Sequence, residues 1–400
     1  IRMYMPCLFG KHLYSIAEKT LSLYGVRMLN VKQTQPETFP STDILFQTPL
    51  WGKIKSCAGQ KILYFWAEWH FESADERIRK IFPLLVFLRN AYSDYMYAYI
   101  PRSPPFSVRS ELRGILLEEI ALALKPYLPK DTICIRFDSA WIVDKIHEDS
   151  ELRLELREIK MNFGTETHSL RKASSNYLCH DSVIIDLRLP PERLLMNMRQ
   201  TTRNSIRRAY KTGVCFSIYD SRSPDIFIAL EKWYALYEET AGRKGFFCGK
   251  YDYFTKLFTV RMENDDECGD IFPMTAPVPP PRFYLFTAHK ENTILSGLIL
   301  AVCGNAAYYM YAASSLEGRE CMPNYGLQWE VMRFARSQGC TSYDLMGIPP
   351  NGNAEHPMAG LYIFKTGFGG RKVKFCGTWD FPFETKVYEQ FRNRENFTGL

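Results

Sequence analysis

The sequence predicts a mixed α/β protein of two domains, and three observations carry that prediction. Four hundred residues are more than one hydrophobic core ordinarily organises. Strand-like and helix-like periods alternate twice along the chain, the order of sheets flanked by helices. The run FYLFTAHKENTILSGLILAVCGNAAYYMYAASS (283–315) reads as consecutive strands, followed by one helix and one more strand.

Residues 1–40 read as a polar, loosely helical lead-in closing on QTQPETFPSTD, and globular patterning begins at Ile44. KILYFWAEWHF (61–71) and DYMYAYI (94–100) are aromatic-rich strands, the second stopped by PRSPP. In VRSELRGILLEEIALALKPYL (108–128), the positions of Leu112, Ile115, Leu116, Leu122 and Leu124 give a helix an apolar flank. TICIRF (132–137) is then a short buried strand. SVIIDLRL (182–189) opens a second unit of the same kind. Pro190 and Pro191 start a helix that Gly213 should end, and another covers 223–241. RMENDDECGD and PMTAPVPPP mark a surface insertion. Turns near Glu291–Asn292 and Gly304–Asn305 divide the 283–315 run. A helix over 327–338 ends at Gly339, and the strand SYDLMGI follows. That meander–helix–strand order is the one found in GNAT-type acyltransferase cores. The expectation is therefore two GNAT-like α/β (α+β) domains with mixed sheets flanked by helices. Residues 41–181 completed by 378–400 form the first, and 182–377 the second.

Composition narrows the class. A formal charge of +6 with 46% apolar residues permits a polyanionic partner without requiring one. Eleven cysteines are scattered with no C-x-x-C pair, which argues for reduced core thiols rather than a zinc site or disulfide scaffold. Neither a signal peptide nor an apolar span of ~18 residues is recognisable. The expectation is a cytoplasmic protein whose contact with the inner face of the cell membrane is at most peripheral.

Chemistry-bearing patterns are few. Arg199, Arg203, Arg207 and Lys211 recur every four residues, Arg208 joins them, and no Asp or Glu intervenes between Arg193 and Lys211. Such a helix carries one basic stripe, which fits either a phosphate-bearing partner or a solvated face. No G-x-S-x-G, H-E-x-x-H or Walker pattern is present, and the seven histidines are isolated. No metal or cofactor is expected. The R-x-x-G-x-G/A loop for a coenzyme A pyrophosphate is missing, and its nearest string, RSQGCT (336–341), falls at a helix end. A GNAT-like fold without that loop implies an acyl donor other than acyl-CoA. In FKTGFGG (364–370), Lys365 stands between Phe364 and a run of glycines. It is either a snorkelling surface residue or a charge aimed at something anionic.

YGLQWEVMRFARSQGCTSYDLMGIPP (325–350) followed by AGLYIFKTGFGG (359–370) resembles the Fem (FemABX) aminoacyltransferases. The same look appears in ILFQTPLWGKIK, YIPRSPP, IRFDSAW, RQTTRNSIRRAYKTGV and ETAGRKGFFCGKYDYF, in the family's order from about residue 43 to residue 377. These enzymes build peptidoglycan cross-bridges by moving an amino acid from aminoacyl-tRNA to a muropeptide amine. The resemblance implies an aminoacyl-tRNA donor and, as acceptor, the stem-peptide side-chain amine of a lipid-linked or UDP-MurNAc-pentapeptide precursor, with no DNA partner. It implies Lys365, beside Phe364, at the reaction centre. Lys55 would hold the precursor's phosphate, and Asp138 would face the peptide acceptor. Tyr253 and Tyr311 would line the substrate channel. Lys250 stands next to Gly249, where the family often has arginine, and Arg102 opens RSPPFS in place of R-G-P-V-x-D. Both altered places bear on how the acceptor is gripped. No long charged helical hairpin is present, which implies the shorter, single-residue-adding type. The basic stripe gains the tRNA acceptor arm as a candidate partner, with the acidic precursor as the other.

The implied chemistry asks for little. An aminoacyl ester is already activated, so an amine attacks it without a covalent enzyme intermediate. Lys365 would stabilise the oxyanion and alignment would supply much of the rest. Asp138, or a phosphate or carboxylate of the substrate, would take the ammonium's proton. Transfer to another amine, or a binding protein that keeps the fold without turnover, are the rival readings.

Overall fold

Runs rich in β-branched and aromatic residues assemble into two seven-stranded sheets, one in each of two units. The computed structural model describes residues 26–39, 42–73, 76–143, 154–261, 278–349, 355 and 358–398. Most of the expected lead-in, most of the acidic and proline-rich insertion, Cys7, Cys268, His12, His147 and His356 lie outside the described residues.

In the first unit the strand order is β1-β2-β3-β4-β5-β14-β6. The strands are β1 (Val26–Thr34), β2 (Lys61–Glu72), β3 (Arg77–Asn90), β4 (Met96–Pro101), β5 (Thr132–Asp138), β6 (Arg171–Lys172) and β14 (Thr378–Pro382). β4 and β5 run parallel, linked by the helix Ser110–Leu124, which buries Leu112, Ile115, Leu116 and Leu124. β1 corrects the expected helical lead-in: it pairs antiparallel with β2 from Val26↔Glu72 to Thr34↔Tyr64. β3 has no counterpart among the expected elements, because its charged start and Pro83 hide a fully buried run from Phe82 to Phe87.

The second unit has the order β13-β7-β12-β11-β10-β9-β8. Its strands are β7 (Asp181–Asp186), β8 (Cys215–Tyr219), β9 (Arg282–Lys290), β10 (Thr293–Cys303), β11 (Ala306–Ser314), β12 (Ser342–Asp344) and β13 (Arg371–Lys374). β9, β10 and β11 form the antiparallel meander, the helix Pro323–Ser337 follows, and β12 returns parallel to β11. Val183, Phe286, Leu298, Leu300, Val331, Met332, Tyr343 and Phe368 belong to the core between sheet and helices. Residues Pro36–Ile62 cluster with this unit. The helix Pro49–Cys57 therefore sits here, not in the first domain where the sequence placed it.

Three further expectations change. The helix expected from Pro190 to Gly213 is broken into Pro191–Asn197 and Gln200–Lys211, with Met198 extended and buried. The backbone N–H of Arg199 is taken by Gly367 O at 2.9 Å, so a tertiary contact overrides local helix propensity. SYDLMGI is a strand only over Ser342–Asp344, because Met346 adopts φ +56°. Cysteines expected in the core divide: Cys134, Cys303, Cys321 and Cys340 are buried, whereas Cys57, Cys179 and Cys215 are exposed.

One buried cation ties the first unit together. Arg136 lies fully buried in β5, directly opposite Asp380 in the antiparallel β5–β14 register. Its guanidinium donates to both Asp380 oxygens at 2.8 Å and to Glu395 at 2.6 and 2.8 Å. It also stacks near Tyr97 and Phe391. Desolvation pulls the guanidinium pKa down, but the two carboxylates more than offset it and the net shift is upward. Glu395 and Phe391 lie on the helix Thr385–Thr398, which is thereby fastened to the sheet. Removing one partner of a buried network strands the others. Arg136→Leu should lower the stability of the first unit by about 3–5 kcal/mol, read as a lower urea midpoint in an unfolding titration.

Candidate active site

Lys365 occupies the last turn of the helix Ala359–Thr366. The glycines that follow serve packing. Gly369 has φ +78°, and a Cβ there would stand 2.3 Å from Asn197 O. Phe364 packs edge-on against Tyr325 and Phe368, with ring centroids 5.0 and 5.1 Å apart, and so belongs to the second core.

The lysine amine fills a gap that the sheet itself leaves. β11 and β12 pair over three residues only, ending at Tyr308↔Asp344, while β11 continues to Ser314. Past that point residues 345–348 lean to the other neighbour: Leu345 N donates to Val183 O at 2.9 Å and Ile348 N to Asp181 O at 3.0 Å. Lys365 Nζ enters the opening. It donates to Gly347 O at 2.8 Å and Met346 O at 3.2 Å, and lies 5.1 Å from the Tyr309 ring centroid. The residue is 5% exposed. Asp344, at the end of β12, accepts from Ser182 Oγ and from Met346 N, so Lys365 has no carboxylate ion-pair partner among the described residues. Desolvation dominates and lowers the Lys365 pKa to about 8, with Cys179 and Asp344 pulling weakly the other way. At neutral pH the group is mostly a cation, held by carbonyl dipoles.

Three other predicted residues meet in the same unit. Lys55 Nζ donates to Tyr253 Oη at 2.8 Å, and Tyr253 Oη and Tyr311 Oη share a hydrogen at 2.8 Å. The Lys55 ammonium also lies near the rings of Trp51 and Tyr253, 4.6 and 4.1 Å from their centroids. Burial pushes the Tyr311 phenol up to about 12 and Tyr253 well above its ordinary value, so both hydroxyls stay protonated. Tyr311 is two residues from Tyr309 on β11, roughly 7 Å along the strand. Between them the β10–β11 register skips Met310, a bulge that re-aims neighbouring side chains. Lys250 is exposed at the start of the helix Tyr251–Thr259 and contributes its carbonyl to Tyr253 N. Its side chain does not join the Lys55 chain of hydrogen bonds. A Cβ at Gly249 would make only ordinary contacts, of 3.6 Å and longer, so glycine there is not sterically imposed.

Asp138 and Arg102 lie in the first unit. Asp138 ends β5 and is 1% exposed. It accepts from Arg102 Nη1 at 3.4 Å and from Tyr99 Oη at 3.2 Å. Arg102 is buried with φ +45°. Burial raises the Tyr99 phenol pKa well above its usual value, and the Asp138 charge adds to that. The carboxylate is therefore already engaged by two donors within its own unit.

The basic stripe is less uniform than its spacing suggests. Arg203 Nη1 donates to Met198 O at 2.6 Å, Met196 O at 3.3 Å and Leu195 O at 3.4 Å. It thus satisfies the carbonyls that end the preceding helix. Arg199 precedes the helix and donates to Thr366 Oγ1 at 3.1 Å. Arg199, Arg207, Arg208 and Lys211 are exposed, and Arg203 is half-buried. Arg207 makes a hydrogen bond to Asn204 at 3.0 Å. Sequence reasoning missed the Met346–Gly347 acceptors, whose only local signal was a glycine at the end of SYDLMGI. It also missed the Arg136 network, signalled by an arginine inside an otherwise apolar strand. Among the described residues no group of three or more His, Cys, Asp and Glu converges to hold a metal ion. Nor is any described helix long and apolar enough to cross a membrane.

Residues 40–264 and 284–393 match the model of the FemAB family. The chain is similar to the lipid II:glycine glycyltransferase of Staphylococcus saprophyticus, 35% identical over 109 residues, 27% of this chain and 26% of that protein. It is likewise similar to that of Staphylococcus aureus strain USA300, 36% identical over 103 residues, 25% of this chain and 24% of that protein. The matched stretch spans about a quarter of the length of these curated relatives. A crystal structure of FemX shares the fold, with a TM-score of 0.63 at 18% identity, over 89% of this chain and 96% of that one.

The lowered Lys365 pKa has a thermodynamic signature. Between about pH 8 and the ordinary lysine value of about 10.4, the unfolded chain holds a proton that the folded chain has lost, so stability rises with pH in that window. Below it the desolvation penalty is fully present. Relative to Lys365→Met, the native protein should gain about 3 kcal/mol across that range, measured as the difference between urea-unfolding free energies of the two proteins at each pH.

Proposed function

The chain belongs to the FemAB family, and from that premise we propose that it transfers an amino acid from aminoacyl-tRNA to the stem-peptide amine of a peptidoglycan precursor. The observation that carries the proposal is the Lys365 ammonium, buried where β11 and β12 part and without a carboxylate ion-pair partner among the described residues. The names of the glycyltransferase relatives support lipid II as the acceptor class.

In this reading the acceptor nitrogen attacks the ester carbonyl carbon and a C–N bond forms. The carbonyl oxygen becomes an oxyanion, and Lys365 shifts a hydrogen bond from Met346 O or Gly347 O to it. Collapse breaks the C–O bond to the tRNA ribose, whose oxygen leaves with a proton. A cation already desolvated stabilises that charge without solvent reorganisation. Lys55, steadied by Tyr253, holds an acceptor phosphate. Asp138 orients Arg102, the acceptor ammonium gives up one proton to a phosphate or carboxylate of the substrate before it attacks, and the proton lost from nitrogen as the amide forms is the one that leaves with the ribose oxygen. The site works at the inner face of the cell membrane, where a lipid-linked acceptor resides.

The test is mass spectrometry of lipid-linked and nucleotide-linked precursors after incubation with the protein and mixed charged tRNAs. A gain of one amino-acid residue, lost when the tRNA is deacylated, is the expected result; no gain on either precursor overturns the acceptor assignment. Lys365→Met should lower kcat by about 10²–10³ with the KM for precursor little changed.

The exposed cations Arg207 and Lys211 are assigned to tRNA phosphates. Substituting both by alanine should raise the KM for charged tRNA and flatten its salt dependence, with the KM for precursor unaltered. An unchanged salt slope would remove tRNA from this helix.

A further inference from the structure

The two carbonyls that hold Lys365 are themselves held from behind. Leu345 and Ile348 are fixed to β7 through Val183 O and Asp181 O, so Met346 and Gly347 form the short span between two anchors. On one side of that span lies the Lys365 ammonium. Cys179 packs on the same span, at Gly347. A Cβ placed on Gly347 would stand 2.2 Å from Cys179 Sγ and 2.6 Å from its Cβ, a clash in both atoms. Gly347 has no positive φ, so its backbone does not demand glycine. What demands it is the side chain of Cys179. Met346 does have φ +56°, which turns two successive carbonyls toward one amine instead of letting them alternate as in a strand.

We propose that Gly347 is a positioning residue: with no Cβ, it lets Cys179 press the 346–347 span against Lys365, and this contact sets where the ammonium sits. The inference rests on the transfer reading for its functional consequence, but its structural content is independent of that reading. A side chain at 347 pushes the span off Cys179, the carbonyls move away from the amine, and the amine turns to solvent. Removing the Cys179 side chain makes room for a methyl at 347 and lets the span return.

The test is a cycle of wild type, Gly347→Ala, Cys179→Gly and the double variant. Two readouts are taken on the full chain: the titration of Lys365 by NMR of [ε-13C]lysine-labelled protein, with its resonance assigned by its loss in Lys365→Met, and the pH profile of kcat/KM for transfer. In Gly347→Ala the Lys365 midpoint should move from near 8 toward the ordinary lysine value. The rate should fall by about tenfold in kcat with KM little changed, as for a misplaced transition-state group. Adding Cys179→Gly should restore most of both losses, with a fall in midpoint larger than the one Cys179→Gly alone causes by removing its raising influence on Lys365. If the double variant is no better than Gly347→Ala, or if Gly347→Ala moves neither readout, the proposal fails. Should Gly347→Ala not fold, Cys179→Val loads the same contact from an exposed position and should shift the midpoint in the same direction. A titration that follows the cycle in a protein showing no transfer would sink the transfer reading and leave the positioning role standing. Transfer that persists with the two substitutions acting additively would do the reverse.

Discussion

The second unit is organised around an unfinished parallel strand pair. A sheet satisfies its backbone groups by pairing each strand with its neighbours, and β11 and β12 stop doing so after Tyr308↔Asp344. The carbonyls of Met346 and Gly347 then need a donor in a place that water hardly reaches, and Lys365 is that donor. This requirement fixes much else. The helix Ala359–Thr366 must end over the gap, and the glycines after it must let the chain turn away against Asn197. Arg199 must leave the helical path to meet Gly367 and Thr366. A charge held by dipoles alone pays a desolvation penalty that an ion pair would partly relieve. The fold tolerates that penalty, and the result is a cation available to a new anion.

Comparison of the two sheets sharpens the point. Read from β1 and from β8, both orders give a meander, a helical crossover and a parallel strand, with an aspartate at that strand's end. In the first sheet β4 pairs to its last residue, Pro101↔Asp138, and the next residue, Arg102, turns back onto the carboxylate. Charge meets charge and both are buried. In the second sheet the equivalent carboxylate, Asp344, is taken by Ser182 and by the backbone of Met346, while the cation arrives from a distant helix and binds carbonyls. The same topology thus neutralises its charge in one unit and keeps it in the other. That difference, more than the fold, separates an ion pair satisfied within its own unit from a cation held by carbonyls.

How much of this was legible in the sequence follows from how local each feature is. The meander of β9 to β11 and the helix after it are set by short-range periodicity, and their turns fall at Glu291 and Gly304–Asn305 as the sequence indicates. Lys365, Lys55, Tyr253 and Tyr311 could be singled out because they sit in motif strings. The break at Met198 could not, since it is made by Gly367, which lies 168 residues along the chain from Arg199 yet accepts its backbone N–H. Arg203 looks like a member of a basic stripe until the carbonyls of Leu195, Met196 and Met198 are seen to occupy it. Arg136 was visible as a charge in an apolar strand, but its partners Asp380 and Glu395 lie some 250 positions away on the last strand and helix. Spacing can propose a chemical group; only tertiary contacts say whether the group is already committed.

The bulge at Met310 extends that reasoning to the site as a whole. Tyr309 lies under the Lys365 amine and Tyr311 closes the Lys55–Tyr253 chain. In a regular strand, residues two apart share a face, and both tyrosines would present parallel side chains to one neighbour. The skipped residue adds twist between them. One strand then supports two cationic groups with different partners, a buried amine on backbone carbonyls and a second lysine on phenols. In the transfer proposed above, an anionic acceptor and a new oxyanion would each meet one of these cations, whose places are set by separate partners along β11. For Lys365 the carbonyl dipoles fix the amine without the neutralising charge that a carboxylate would bring.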